Sequence, residues 1–146
     1  MSLKSEEKNL TAMMIIEVLG RPEEHLTTVL EDLSKQVEAE PGVKSFNKKL
    51  NKPTLVKDQK DLFTGFVEIE IEIESPMVLG ALMFKYMPSH VEVIEPEHFV
   101  FKNVEFNELL NELTRRLHRY EELVKVLQFE IEKNKKVQAK KPEEKK

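Results

Sequence analysis

Residues 67–74 read VEIEIEIE, and this stretch decides the fold class. Apolar and acidic residues alternate with a period of two, which a strand satisfies and a helix does not. One face of the strand is therefore apolar, and the other is a row of four carboxylates from Glu68 to Glu74. We expect this strand to lie in a sheet that packs one face on a core and leaves the other open.

The chain before this strand reads as a strand, a helix and a second strand. Residues 10–19 are nearly all apolar, which is typical of a strand buried on both faces. Gly20-Arg21-Pro22 ends that strand, and Pro22 suits the first position of a helix. Apolar residues at helical spacing follow until Pro41-Gly42, and residues 43–52 predict the next strand.

The chain after residue 74 supplies a second helix and a last strand. Ser75-Pro76 predicts the start of a short apolar helix that ends near Met87-Pro88. Residues 90–101 predict an edge strand, or two short ones, because Pro96 interrupts them. The order βαββαβ predicts an α+β, ferredoxin-like two-layer sandwich with the first and third strands in the centre of the sheet. Both helices would cover one face and leave the glutamate row on the other.

A long C-terminal helix follows, and we expect Asn103 to cap it. Its apolar residues are spaced alternately four and three apart, which is a heptad seam: Phe106, Leu110, Leu113, Leu117, Tyr120, Val124, Leu127 and Ile131. A helix of about 30 residues is roughly 45 Å long and outruns a domain of this size. The first half could pack on its own sheet. We predict that the second half pairs with another subunit through Leu117, Tyr120, Val124, Leu127 and Ile131.

These segments define the predicted organisation of the chain. Residues 1–9 form a flexible leader, 10–102 the ferredoxin-like domain, 103–132 the long helix and 133–146 a lysine-rich disordered tail. The tail carries seven lysines against two glutamates, and the other residues carry 16 basic and 25 acidic side chains. The folded part is therefore acidic, which makes nucleic acid the less favoured partner.

Composition excludes several classes of protein. The chain has no cysteine, so disulfides and thiolate chemistry are ruled out. No apolar run approaches the roughly 20 residues that a membrane span requires, and the first nine residues do not resemble a signal peptide. We therefore expect a cytoplasmic protein with no membrane contact.

The segment from Ile15 to Val43 resembles an ACT-type regulatory domain. It combines a strand, the Gly20-Arg21-Pro22 turn, an amphipathic helix and a Pro-Gly entry into the next strand. In that family the turn often reads acidic residue, Arg, Pro, Gly, and it helps to bind amino-acid ligands at a dimer interface. Gly20 stands here for the acidic residue and Glu23 for the final glycine. The resemblance implies that Gly20, Arg21 and Pro22 bind a small anionic ligand, and backbone donors at a helix N-terminus suit one.

Other clusters predict alternative chemistry. His90, Glu92 and His98 could hold a metal if the chain bends at Pro96, and the glutamate row could serve as an acid–base pair. The row also suits a solvated face that lysines on the neighbouring strand offset: Lys44, Lys48, Lys49 and Lys52. Arg115, Arg116, His118 and Arg119 could contact phosphates or pair across helices.

The sequence favours a non-catalytic, homo-oligomeric binding or regulatory module. It would be a homodimer that acts through protein–protein interaction or ACT-like sensing of a small ligand, with no cofactor. The motivating features are the heptad seam, the one-sided sheet and the lack of a paired nucleophile and base. One alternative is a metal-dependent or carboxylate-based enzyme. Another is an RNA-associated accessory protein.

Overall fold

The computed structural model describes residues 9–140, and its elements follow the predicted alternation of strands and helices. In chain order they are β1 (Leu10–Gly20), α1 (Glu23–Glu38), β2 (Val43–Leu50), β3 (Thr54–Leu55), β4 (Phe63–Ile73), α2 (Pro76–Tyr86), β5 (His90–Glu95) and α3 (Asn103–Ala139). Residues 1–8 of the predicted leader and residues 141–146 of the predicted tail lie outside the described part.

The four long strands form one antiparallel sheet in the order β2-β4-β1-β5, and the short β3 pairs with β4. The two central strands are the first and third of the predicted four. The α+β, ferredoxin-like arrangement is therefore confirmed. β1 and β4 are the most apolar strands of the sheet. They occupy its central positions because a central strand loses more contact with solvent than an edge strand.

The core lies between one face of the sheet and the two helices α1 and α2. On β4 the inward residues Val67, Ile69, Ile71 and Ile73 are at most 1% exposed. Leu30 and Val37 of α1 and Leu79 and Leu82 of α2 belong to the same cluster. Apolar burial of this kind stabilises a domain by about 1.5–3 kcal/mol for each large side chain. The alternation of residues 67–74 is thus the pattern of a half-covered strand.

The expectation that β1 is buried on both faces is wrong, because only one of its faces is fully buried. Ala12 and Met14 are inaccessible to solvent, whereas Met13 and Ile15 on the opposite face are half-buried. Met13 pairs with Glu70 and Ile15 with Glu68, so they share the face of the glutamate row. A continuous apolar run does not distinguish two covered faces from one covered face with apolar residues on the open side.

The turn between α1 and β2 depends on Gly42. Its backbone has a φ of +87°, in the left-handed region that L-residues with a side chain avoid. A Cβ at this position would lie 2.7 Å from Cγ2 of Val78 in α2. The Gly42 carbonyl also accepts a hydrogen bond from the Glu74 amide, at 3.1 Å. This glycine therefore lets the turn, the end of β4 and α2 approach one another closely.

Several element boundaries differ from the expected ones for local reasons. β5 ends at Glu95, since Pro96 has no N–H to donate to the sheet. Pro22 is the residue before α1 rather than its first residue. Thr54 and Leu55, which follow the predicted strand of residues 43–52, form the short strand β3 against residues 63 and 64 of β4.

The residues from Phe101 onward form a second unit, which consists mainly of α3. Asn103 is the first residue of this 37-residue helix and Lys102 precedes it, so Asn103 does not cap it. The helix continues to Ala139, seven residues beyond its expected end. The predicted tail therefore begins too early, because the lysines at 133, 135 and 136 are helical. Lysine is a good helix former, and positive charge in the last turn favours the helix dipole.

No helix within residues 9–140 is long and apolar enough to cross a membrane.

Candidate functional site

An apolar row along α3, which we call the α3 stripe, is exposed to solvent over its whole length. Each of its members is 41–59% exposed, and α3 contains no buried residue. The stripe consists of the heptad positions named above: Phe106, Leu110, Leu113, Leu117, Tyr120, Val124, Leu127 and Ile131. An apolar surface of this length in water is a candidate interaction site.

Charged side chains run alongside the α3 stripe and pair within the helix. Arg116 Nε donates to Glu112 at 2.9 Å, and Arg115 donates to the same carboxylate. The hydrogen bond from Arg116 holds the pKa of Glu112 below its usual value of 4.5. Lys125 Nζ lies 3.1 Å from Glu121, also four residues apart. Part of the predicted phosphate-binding cluster is therefore already bound to carboxylates.

The predicted ligand turn lies at the end of β1. Arg21 Nη1 donates to Asp61 Oδ2 at 2.6 Å, and both side chains are 65% exposed. The Pro22 carbonyl accepts the amide of His25 in the first turn of α1, at 3.1 Å. The guanidinium that would hold an anion is thus engaged by a carboxylate of the loop before β4.

The predicted metal ligands are only partly brought together. His90 Nε2 lies 3.5 Å from Glu92 Oε2, and both are on β5. His98 lies instead beside Glu97, at 3.9 Å, with both side chains 91% exposed. Across residues 9–140 there is no group of three or more His, Asp or Glu side chains that could hold a metal ion. His90, Glu92 and His98 therefore do not form a three-ligand site in the described chain.

The glutamate row lies on the open face of the sheet, where neighbouring strands supply polar partners. Glu68 pairs in register with Lys49 and Glu70 with Asn47, both of β2. Lys44 donates to Asn9 at 2.9 Å, and Asn9 donates to Glu72 at 2.8 Å. Lys48 does not offset the row, because it pairs with Ile69 and so lies on the other face. The row has the character of a solvated acidic face.

A cluster of Glu40, Lys85 and Tyr86 joins the end of α1 to the end of α2. Tyr86 Oη donates to Glu40 Oε1 at 2.5 Å, and Lys85 donates to the same oxygen. Hydrogen bonds from Lys85 and Tyr86 hold the pKa of Glu40 below its usual 4.5. Burial and the Glu40 carboxylate raise the pKa of Tyr86 above its usual 10. Sequence reasoning missed this cluster, because about 45 residues separate its partners and no spacing signals the contact.

Comparison with known proteins identifies the family. A family model, described as the MJ0538 family, matches residues 11–145. The chain belongs to the MJ0538 family. No curated protein matches it. Among solved structures, it is similar to a transcriptional regulatory protein, PF0864 from Pyrococcus furiosus, a member of the AsnC family, with 18% identity and a TM-score of 0.34. That match covers 72% of the chain, which spans only 62% of the regulator's length.

The sites of this MJ0538-family chain differ in what they offer a partner. The turn at Arg21, the pair His90–Glu92 and the cluster at Glu40 each consist of a few side chains that already contact one another. The α3 stripe instead presents large apolar side chains over more than six helical turns, from Phe106 to Ile131. The proposed function is therefore based on the α3 stripe.

Proposed function

We propose that this MJ0538-family protein is a non-catalytic, homo-oligomeric binding or regulatory module that associates with a second copy through the α3 stripe. The observation that carries the proposal is the exposure of every seam residue on a helix without a single buried residue among those described. Burying the exposed half of one such side chain is worth about 1 kcal/mol, so two facing stripes supply enough free energy for association.

A second copy is the partner that the charges beside the α3 stripe favour. The positions that flank the seam carry charges of both signs. Arg116 and Glu130 lie on one side of it, and Glu121 and Lys135 lie on the other. Opposite charges at such positions form pairs between helices and select the partner. Because each copy carries both members of each pair, two copies complement each other.

The shifted pKa values support a non-catalytic role. Among the described residues, Glu40, Tyr86 and Glu112 have clearly shifted pKa values. Burial and the hydrogen bonds and ion pairs that these groups make with neighbouring side chains explain all three shifts. An active site would instead combine such shifts with a nucleophile or base in a cleft.

A small anionic ligand is a second proposal, and it rests on the Arg21–Asp61 pair. Arg21 is exposed and lies just before α1, and the first turn of a helix is a favourable place for an anion. A ligand carboxylate would replace Asp61 on the guanidinium. Asp61→Asn is then expected to tighten binding of amino acids in calorimetry, and Arg21→Gln to remove it. Equal heats for the two variants would contradict this role.

The association is tested by measuring mass in solution with light scattering. We expect the unmodified chain to be a dimer or larger at micromolar concentration and Leu127→Asp to be a monomer. Phe129→Asp is the matched control, because Phe129 is 78% exposed but lies about 200° around the helix from Leu127. It should leave the assembly intact. A monomeric unmodified chain whose mass Leu127→Asp does not change would refute the proposal.

A further inference from the structure

The residues of the α3 stripe divide into two sets when the helix is written as a heptad, abcdefg. Leu110, Leu117, Val124 and Ile131 fall at a, and Phe106, Leu113, Tyr120 and Leu127 fall at d. The last two a positions, Val124 and Ile131, are therefore β-branched, and the d position between them is Leu127. Within parallel coils that combination favours two strands over three or four.

The flanking charges are consistent with a parallel orientation. In a parallel coil, each g residue faces the e residue five positions later in the other helix. Arg116 at g then meets Glu121 of the second copy, and Glu130 at g meets Lys135 of the second copy. The remaining g positions, Leu109 and Leu123, meet threonine and glutamine. By symmetry the pairing gives four ion pairs and no contact between like charges.

The antiparallel alternative is less favourable at the same positions. Aligning the stripes over their full length sets Leu110 against Leu127 and Leu117 against Tyr120, so that g faces g and e faces e. Arg116 would then face Leu123, Glu130 would face Leu109 and Glu121 would face Thr114 of the second copy. This orientation gives no ion pair at these positions, whereas the parallel one gives four.

The side chains of Arg116 and Glu121 are 32% and 60% exposed, and each is paired within its own helix. Glu121 is 60% exposed and is held by Lys125 within its own helix. Arg116 is bound to Glu112, and a guanidinium has five N–H donors, so it can bind a second carboxylate as well. Neither group must be removed from a buried site to form the interhelical pair.

We propose that two copies of α3 associate in parallel and in register as a two-stranded coiled coil. This inference rests on the proposed function and specifies its geometry. Both chains then enter the coil at the same end, and the Arg116–Glu121 and Glu130–Lys135 pairs fix the register. The seam residues Leu117 and Leu127 each contact the same residue of the second copy.

Disulfide trapping tests the orientation, because the chain has no cysteine of its own. Leu110→Cys and Leu127→Cys are each oxidised alone and then as a mixture in which one variant carries a mass tag. Parallel pairing predicts that each variant cross-links with itself. It also predicts no tagged–untagged 110–127 product, since those positions are about 25 Å apart along the coil. Phe129→Cys, at an outward position, is the control and should stay uncross-linked.

The outcomes separate this inference from the proposed function. If the full-length variants are dimers under reducing conditions but only the 110–127 product forms, the coil is antiparallel. The inference then fails and the proposed function stands. If the dimers give no cross-link at either position, both the inference of a parallel coil and the proposed association through the α3 stripe fail. Both also fail if the chain is monomeric.

A charge exchange gives a second test that does not depend on oxidation. Arg116→Glu and Glu121→Lys are each expected to raise the dissociation constant about tenfold, and the double variant to restore it. In an antiparallel coil aligned over the full stripe, position 116 faces Leu123 and position 121 faces Thr114, so the double variant would form no new ion pair between the helices and would not recover. Lack of recovery in the double variant overturns parallel pairing.

Discussion

Replacing Gly42 by alanine tests the packing that positions α2 on the sheet. The substituted residue would have to keep a φ of +87°, which costs about 1–2 kcal/mol for an L-residue. Its Cβ would also lie 2.7 Å from Val78 Cγ2 and 3.1 Å from Cγ1, and relieving that overlap costs about 1–3 kcal/mol more. We therefore expect Gly42→Ala to lower the free energy of unfolding by about 2–5 kcal/mol.

The two contributions can be separated with a double-mutant cycle. Urea unfolding followed by circular dichroism, at one fixed protein concentration, gives the free energy for each variant. In a Val78→Ala background the overlap disappears, so Gly42→Ala should then cost only the conformational part, about 1–2 kcal/mol. Gly20→Ala is the matched control, because its Cβ meets only Leu26 Cδ2, at 3.3 Å. Equal costs for the two glycines, or no effect of the Val78→Ala background, would refute the reasoning.

Three further predictions concern other parts of the chain. Tyr86→Phe should lower the free energy of unfolding by about 1 kcal/mol at pH 7. Because the pKa of Glu40 is lowered, the full decrease in the free energy of unfolding should be seen above pH 4.5. The decrease should become smaller as the pH falls through the lowered pKa, which urea titrations at several pH values would measure. Ile69→Ala should cost about 2–5 kcal/mol in the same assay, since Ile69 is fully buried; a cost under about 1 kcal/mol would contradict its place in the core. Zn²⁺ should leave the melting temperature unchanged, because no third ligand joins His90 and Glu92 within residues 9–140; a clear rise, absent in His90→Ala, would contradict this expectation.

Much of the fold could be predicted because its signals are local. The alternation of residues 67–74 places Ile69 and Ile71 in the core and Glu70 on the open face, and the structure has them there. The order of strands follows from short connections and from which strands are most apolar. Even the bounds of α2 are encoded locally, by Ser75-Pro76 at its start and Met87-Pro88 after it.

The remainder depends on contacts between residues far apart in the chain. The half-buried face of β1 could not be distinguished from a buried one, since Met13 and Ile15 are apolar on either reading. The Glu40–Tyr86 hydrogen bond forms only because α1 and α2 end near each other on the sheet. The pairing of Arg21 with Asp61 likewise joins residues 40 positions apart.

The candidate interaction surface was the most predictable functional feature. A heptad pattern defines the same face of a helix whatever its surroundings, so Leu117 and Leu127 could be assigned to one stripe from their spacing alone. The sequence could not show that the stripe is exposed along its whole length or that the helix extends to Ala139. The predicted metal group failed to assemble because the strand ends before Pro96 and His98 lies beyond it.

Sedimentation of the unmodified chain over a range of concentrations tests self-association through α3 most directly. One chain has a mass of 17.1 kDa. A two-stranded coil predicts a species of twice that mass at micromolar concentration, which dissociates only on dilution. A single species of 17.1 kDa at every concentration up to about 100 μM would contradict it, because two facing stripes should give a dissociation constant well below that value.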